Sequence, residues 1–208
     1  MYTPPAFAVT DAAELYGMIR QCPLASFITA TPEGPMATPL PMLLDANEGE
    51  SGVLYAHLAR PNPQWQADVI GHGLAVFMGP DAYVSPSWYA SKAEHGKVVP
   101  TWNYMAVQAS GPVEFFSDAE RLLDVVTRLT NLHEGTRQAP WAVTDAPQAY
   151  VTAQLRGIVG VRMPIVSLEG KRKMSQNRPE ADRRGVKQGL AASSHESDRV
   201  VSDLIPIE

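Results

Sequence analysis

Cysteine is almost missing from this sequence. Cys22 stands alone, so an internal disulfide and a cysteine-based zinc site are both excluded. Its neighbours Pro23 and Leu24 point to a small buried hydrophobe rather than a reactive thiol. Long apolar runs are also missing. No stretch reaches the roughly 18 residues that a membrane-spanning helix needs, so no membrane association is expected. The first residues, Met1-Tyr2-Thr3-Pro4-Pro5, lack the basic stretch and apolar core of a secretion signal. The expected compartment is the cytoplasm. Charge is sparse, at 19% of residues, but 45% of the chain is hydrophobic, which argues against wholesale disorder. A chain of 208 residues can bury a sizeable core as one domain. The formal charge of −5 makes the chain as a whole a poor non-specific partner for DNA or anionic membranes. Any contact with nucleic acid would have to rest on a local basic patch or on a partner.

The familiar catalytic signatures are missing as well. There is no G-x-S-x-G elbow, no phosphate loop ending in Gly-Lys-Ser/Thr, no His-Glu-x-x-His and no strand-associated G-x-G-x-x-G. The five histidines, at 57, 72, 95, 133 and 195, form no pair at metal-ligand spacing. His133 follows the end of an expected helix, where a cation is simply favourable. Neither a catalytic constellation nor a metal site is expected.

What is present is mainly strand pattern, with a few helices. Residues 11–21 read as a helix: Asp11 can cap it, and Leu15, Met18 and Ile19 share a face. Residues 24–30 and 36–44 read as an antiparallel pair around the turn Thr31-Pro32-Glu33-Gly34. Pro39 and Pro41 mark the second as an edge or bulged strand. Residues 53–58 and 74–78 are further strands, the latter ended by Gly79-Pro80, with 82–84 as a short continuation. Residues 64–70 suit a short helix. Residues 98–116 hold two strands or one bent at Gly111-Pro112. The capping-box sequence Ser117-Asp118-Ala119-Glu120 opens the best helix, 118–132, with Leu122, Val125, Val126, Leu129 and Leu132 on one face. A helix at 147–155 and a strand at 157–168 follow. A basic stretch, 171–187, ends in a short helix from Pro179. Residues 1–190 read as one domain, and 191–208 as a tail or an arm across a partner. Short strands at hairpin spacing ahead of the helices indicate an α+β, mainly β, chain built on a small antiparallel barrel.

Three segments call for explanation. In Tyr55-Ala56-His57-Leu58-Ala59-Arg60-Pro61-Asn62-Pro63-Gln64-Trp65, a strand delivers His57 and Arg60 to a turn at Asn62. A guanidinium beside turn amides suits a phosphate; the same residues equally describe a surface arginine beside a proline-fixed turn. The aromatic strings Tyr83-Val84-Ser85-Pro86-Ser87-Trp88-Tyr89 and Thr101-Trp102-Asn103-Tyr104 can frame a flat ring, or serve as core and interface packing. Lys171-Arg172-Lys173-Met174-Ser175-Gln176-Asn177-Arg178 can neutralise a phosphate or touch nucleic acid, or be a solvated face. Its Ser-Gln-Asn-Arg portion holds more directed donors and acceptors than solubility requires.

Taken in order, these strings resemble the PaiB-like family, described as FMN-binding negative transcriptional regulators. The matching pieces run from Met1-Tyr2 to about residue 185. They are Leu40-Pro41, His57-x-Ala59-Arg60-x-Asn62-Pro63-Gln64-Trp65, Gly79-Pro80, residues 83–89, Val99-Pro100-Thr101-Trp102-Asn103-Tyr104, Gly157-Ile158-Val159-Gly160 and residues 173–178. The resemblance implies a split antiparallel β-barrel of the pyridoxine phosphate oxidase/FMN-binding type with peripheral helices. It also implies a homodimer with flavin at the subunit interface. His57, Arg60 and Asn62 would stand near the FMN phosphate, and Trp102, Asn103 and Tyr104 would line the pocket. Lys173, Gln176, Asn177 and Arg178 would close it. The chain departs from the family pattern at Pro39, Asp81 and Gln108, where the pattern has histidines, which implies altered polar chemistry beside the ring or a metal.

The leading expectation is therefore a homodimeric FMN-binding regulator that represses transcription. Residues 171–187 carry seven Lys or Arg against two acidic residues, so they can contact DNA phosphate or only the phosphate of FMN. The alternatives are a flavin-dependent oxidoreductase, in which the cofactor supplies the chemistry, and a barrel that binds no flavin and acts as an interaction module.

Overall fold

The computed structural model describes residues 1–207. In chain order the elements are β1 (Ala8–Val9), α1 (Ala12–Gln21), β2 (Leu24–Thr31), β3 (Gly34–Pro41), β4 (Leu43–Asp45), β5 (Val53–Ala59), β6 (Ile70–Val84), α2 (Ser91–His95), β7 (Thr101–Gly111), β8 (Glu114–Phe116), α3 (Ala119–Glu134), α4 (Gln148–Leu155), β9 (Ile158–Pro164), β10 (Ser167–Lys173), α5 (Glu180–Ala191) and α6 (Glu196–Leu204). Short 3-10 turns lie at Pro5–Phe7, Pro63–Gln66, Pro86–Trp88 and Val143–Asp145. No helix among the described residues is long and apolar enough to cross a membrane. The chain divides into two compact units. One comprises Met1–Met18, Met78–Val107 and the chain from Glu169; the other comprises Ile19–Phe77 and Gln108–Leu168.

In the second unit, β4, β5, β9 and β8 form an antiparallel sheet in that order. Side chains alternate along β5. Leu54, Ala56 and Leu58 are fully buried, and the half-buried Tyr55 and His57 occupy the other parity. Helix α3 starts one residue later than a Ser117/Glu120 capping box would place it: its N-cap is Asp118, whose Oδ1 accepts the Arg121 N–H at 2.9 Å. Its Leu122, Val125 and Leu129 bury against Leu43 and Phe116, with Tyr55, Leu155 and Ile158 packed alongside. Gly160 lies opposite both His57 and Phe116. A Cβ there would sit 2.2 Å from the Phe116 ring, so this crossing requires glycine. Strand β3 pairs with β2 over its whole length and forms a sheet edge, with Pro39 opposite Ser26. Its prolines are tolerated there because an edge strand can forgo N–H donors on its open side.

In the first unit, β1, β10, β7 and β6 are neighbours in that order. Helix α5 starts after Pro179 and buries Val186 and Leu190. Its Gly185 and Gly189, one helical turn apart, admit the Pro86–Trp88 turn. A Cβ on Gly185 would lie 1.9 Å from the Trp88 carbonyl oxygen, and one on Gly189 2.4 Å from the Trp88 ring. Residues 196–204 form α6, which packs on α5 with Val201 buried; Ile205, just past its end, is buried too. Ser202 Oγ donates to the Lys187 carbonyl at 2.8 Å. Of the segment read from sequence as a tail or arm, only Glu208 lies outside the described residues.

Several boundaries differ from the sequence reading. Strand β6 continues through Gly79-Pro80 instead of ending there, since proline's fixed φ is compatible with extended backbone. Residues 157–168 split between β9 and the start of β10. After Pro164, which has no N–H to extend a ladder, Ile165 N–H bonds Gly52 and Val166 N–H bonds Ser110. The short helix expected at 64–70 is only the 3-10 turn Pro63–Gln66.

Candidate functional site

In the second unit, the residues from Arg60 to Trp65 lock one another in place. Asn62 Oδ1 accepts the Gln64 N–H at 2.9 Å, and Asn62 Nδ2 donates to Thr38 Oγ1 at 3.0 Å. Gln64 is fully buried. Its Oε1 accepts from Thr38 Oγ1 at 2.6 Å, and its Nε2 donates to Thr29 Oγ1 at 3.1 Å and to the Met36 carbonyl at 3.3 Å. Trp65 Nε1 donates to the Arg60 carbonyl at 2.8 Å.

The Arg60 guanidinium closes on main-chain oxygens. Nε donates to the Arg156 carbonyl at 2.6 Å and Nη2 to the Ile158 carbonyl at 2.8 Å. Arg156 is the C-cap of α4, where a cation is favoured by the exposed carbonyls. The fork read from sequence as phosphate-facing thus joins the end of α4 to the start of β9. His57 faces a different environment from Asn62: it lines a cavity with α3 and α4 residues. Its Nδ1 is sealed from solvent without a hydrogen-bond partner, and burial pushes its pKa below the usual histidine range. A neutral imidazole there adds no charge toward a phosphate.

In the first unit, a second group of the sequence-read residues converges on a cluster of cations. Lys171 and Lys173, two apart on β10, project to one side of the strand. Lys171 is 8% exposed. Its Nζ donates to the Tyr2 carbonyl at 3.2 Å and lies 5.1 Å from the Tyr104 ring centre and 5.9 Å from that of Tyr2. Lys173 Nζ donates to Thr101 Oγ1 and to the Trp102 carbonyl. Burial, then the charges of Lys171 and Arg178, hold the Lys173 pKa below the usual lysine range. Arg178 lies 4.8 Å over the Tyr89 ring. Among the described residues, none of these three cations pairs with a carboxylate.

The loop carrying Arg178 is held firmly. Asn103 is fully buried and exchanges hydrogen bonds with Ser175, Nδ2 to Oγ at 3.0 Å and Oγ to Oδ1 at 3.1 Å. Ser175 has φ +60°, a left-handed conformation rarely adopted outside glycine. Arg178 N–H then closes a turn on the Ser175 carbonyl at 2.9 Å. Gln176 folds back, its Oε1 accepting the Met174 N–H at 2.6 Å and its Nε2 donating to the Arg172 carbonyl. Gln176 therefore shapes the loop, and Asn103 anchors it from β7. Trp102 is half exposed and meets Tyr83 edge-on, 6.0 Å between ring centres.

Sequence reasoning named Trp102, Asn103, Tyr104, Lys173, Gln176, Asn177 and Arg178. It left out Lys171, Ser175 and Tyr89 as site residues. The i, i+2 spacing of Lys171 and Lys173 on a strand was the available signal for the first. The basic stretch is otherwise not one uniform stripe. Arg172 pairs with Glu14 at 2.9 Å, and Arg184 Nε with Glu180 at 2.8 Å.

A family model described as "Putative FMN-binding domain" matches residues 1–167. The chain belongs to this PaiB-like, FMN-binding family. It is 29% identical over 206 residues to Protease synthase and sporulation protein PAI 2 of Bacillus subtilis, covering 99% of this chain and 96% of that protein. It is 31% identical over 241 residues to an uncharacterized protein of Emericella nidulans, covering 99% and 96%. Among solved structures, a conserved hypothetical protein of Mycobacterium tuberculosis matches with a TM-score of 0.60 at 14% identity, over 86% of this chain and 94% of that one. The FAD and heme binding protein of Mycobacterium smegmatis matches with a TM-score of 0.57 at 15% identity, over 80% and 73%. At such identities the structural likeness speaks for the fold, which is α+β, mainly β, of the FMN-binding split-barrel type. The PaiB-like pattern's three departures fall on β3 (Pro39), β6 (Asp81) and β7 (Gln108). The Asp81 carbonyl accepts from Ser197 Oγ at 2.6 Å.

Proposed function

We propose that this protein binds FMN, holding its phosphate at Lys171, Lys173 and Arg178, and acts as a homodimeric, cytoplasmic regulator of transcription. One observation carries the binding reading: three cations converge beside aromatic rings, and no carboxylate among the described residues pairs with any of them. Like charges held together in partly buried positions repel and are desolvated, so a dianion is the natural complement. Lys173 provides a point charge, and Arg178 a planar fork stacked on Tyr89. Trp102 and Tyr83 offer exposed aromatic faces to a flat ring. FMN, when bound, supplies redox-active isoalloxazine chemistry; the chain's own part is to hold and orient it. Family membership supports the choice of flavin over other phosphates, and the regulatory role is consistent with a Bacillus relative named for protease synthesis and sporulation.

The test compares FMN with riboflavin, which lacks the phosphate, by flavin-fluorescence titration. FMN should bind at least about tenfold more tightly, equivalent to about 1.4 kcal/mol. The Lys173→Met/Arg178→Met double variant should lose that margin. Equal affinity for both flavins in the native protein would overturn the phosphate assignment. Sedimentation analysis tests the homodimer. Direct DNA contact requires affinity that falls steeply with salt; no complex with its own upstream DNA at low salt would leave regulation indirect.

A further inference from the structure

The second unit contains a cavity that the flavin reading does not use. It is about 260 Å³ in volume, lies beneath α3 and α4, and is lined by His57, Val126, Thr130, Trp141, Val151 and Ile158 among others. A larger cleft of about 630 Å³ shares Val143, Ala146 and Val151 with it. The His57 cleft alone lies just under the lower end of ordinary small-molecule sites, roughly 300–1,000 Å³, and borders the larger one. The lining is mainly apolar and aromatic, with one imidazole set into it.

The state of that imidazole follows from its surroundings. Nδ1 is sealed away from solvent and has no partner. A buried N–H without an acceptor is rarer than a buried lone pair without a donor, so the proton is placed on Nε2. The ring's other edge then carries a hydrogen-bond donor into the cavity. Burial keeps the imidazole neutral around neutral pH. No Lys or Arg is among the residues lining this cleft, so a carboxylate or phosphate entering it would find no cation to pair with.

We propose that this cavity is a second ligand site, taking a small, flat, mostly apolar molecule whose single carbonyl-type acceptor bonds His57 Nε2–H. Its lining shares no residue with the cation cluster. A ligand seated there would touch α3, α4 and β5 of the second unit at once.

Acetophenone is a suitable probe, with toluene as the shape-matched control lacking the acceptor. Imidazole nitrogen shifts in the free, full-length protein should show the Nε2–H form of His57. Acetophenone should move the Nε2 signal saturably and bind about fivefold or more tightly than toluene, the worth of about one hydrogen bond. His57→Phe should remove that preference. Val151→Trp, at a half-buried position shared by both lobes, should abolish binding by filling the cavity while leaving His57 in place. No saturable shift with either probe would overturn the proposal. An unchanged acetophenone preference in His57→Phe, or undiminished binding in Val151→Trp, would overturn it as well.

Discussion

Two glycine-to-alanine substitutions, both within helices, should shift stability in opposite directions. Gly17 sits in α1, and a Cβ added there meets nothing within 4 Å. Alanine should therefore contribute its intrinsic helix advantage of about 0.8–1 kcal/mol. Gly185 sits in α5, where the same Cβ would fall 1.9 Å from the Trp88 carbonyl oxygen and 3.1 Å from its carbon. The obstacle is backbone, which cannot rotate aside like a side-chain tip, so α5 or the Pro86–Trp88 turn must shift by more than about 1 Å. Overpacking of that kind costs about 3 kcal/mol at the upper end of the usual range, of which helix propensity offsets about 1 kcal/mol. The net expectation is a loss of about 2 kcal/mol. For a chain of this length that is a melting temperature lower by about 4–8 °C, against a rise of about 2–4 °C for Gly17→Ala. Thermal melts and urea titrations of both variants under the same conditions supply the readout. Because α5 follows directly from the loop bearing Arg178, Gly185→Ala should also weaken FMN binding, while Gly17→Ala should not. A Gly185→Ala protein as stable as the native chain would refute the close approach of Trp88 to α5.

Other expectations follow from single contacts. Arg60→Ala should lower stability by about 1–2 kcal/mol, because charge-assisted bonds to the Arg156 and Ile158 carbonyls are lost at a partly exposed site. Unchanged stability together with lost FMN affinity would instead assign Arg60 to the phosphate. Asn103→Ala should cost about 1–3 kcal/mol, since it strands the buried Ser175 hydroxyl, and urea midpoints would show it. His57 should make stability pH-dependent in acid. Its folded pKa is depressed, so the unfolded chain takes up a proton first, near about pH 6.5. Its contribution is complete above that value and declines as the pH falls toward the lower folded pKa. His57→Phe should flatten this part of the curve, and an identical acid slope in the variant would contradict the buried, neutral imidazole.

Much of the fold was legible because its signals are local. The capping box at Ser117–Glu120 and the Leu122/Val125/Leu129 spacing announced α3, and paired prolines announced the edge strand β3. The misreadings arose where one local signal has two outcomes. Gly79-Pro80 reads as punctuation, yet its backbone is extended and β6 runs through it. The site was less legible, because its meaning depends on residues far apart in sequence. Arg60 read equally as an anion ligand or as a surface arginine beside a turn, and its acceptors lie 96 and 98 residues away. The basic string at 171–178 read either as a phosphate or nucleic-acid contact or as a solvated face. Only the fold shows that Lys171 is buried against Tyr2 and Tyr104, that Arg172 is paired with Glu14, and that Lys173 and Arg178 have no paired carboxylate among the described residues. His57, read as part of a phosphate site, turned out to face helices α3 and α4, whose packing on β5 no motif encodes.

The most direct test of flavin binding is the absorbance spectrum of the purified protein after it is mixed with FMN and passed through a desalting column. A flavin band that stays with the native chain and is lost from Lys173→Met/Arg178→Met is the expected result. A native protein that emerges colourless, having released all its FMN, would contradict the proposed function.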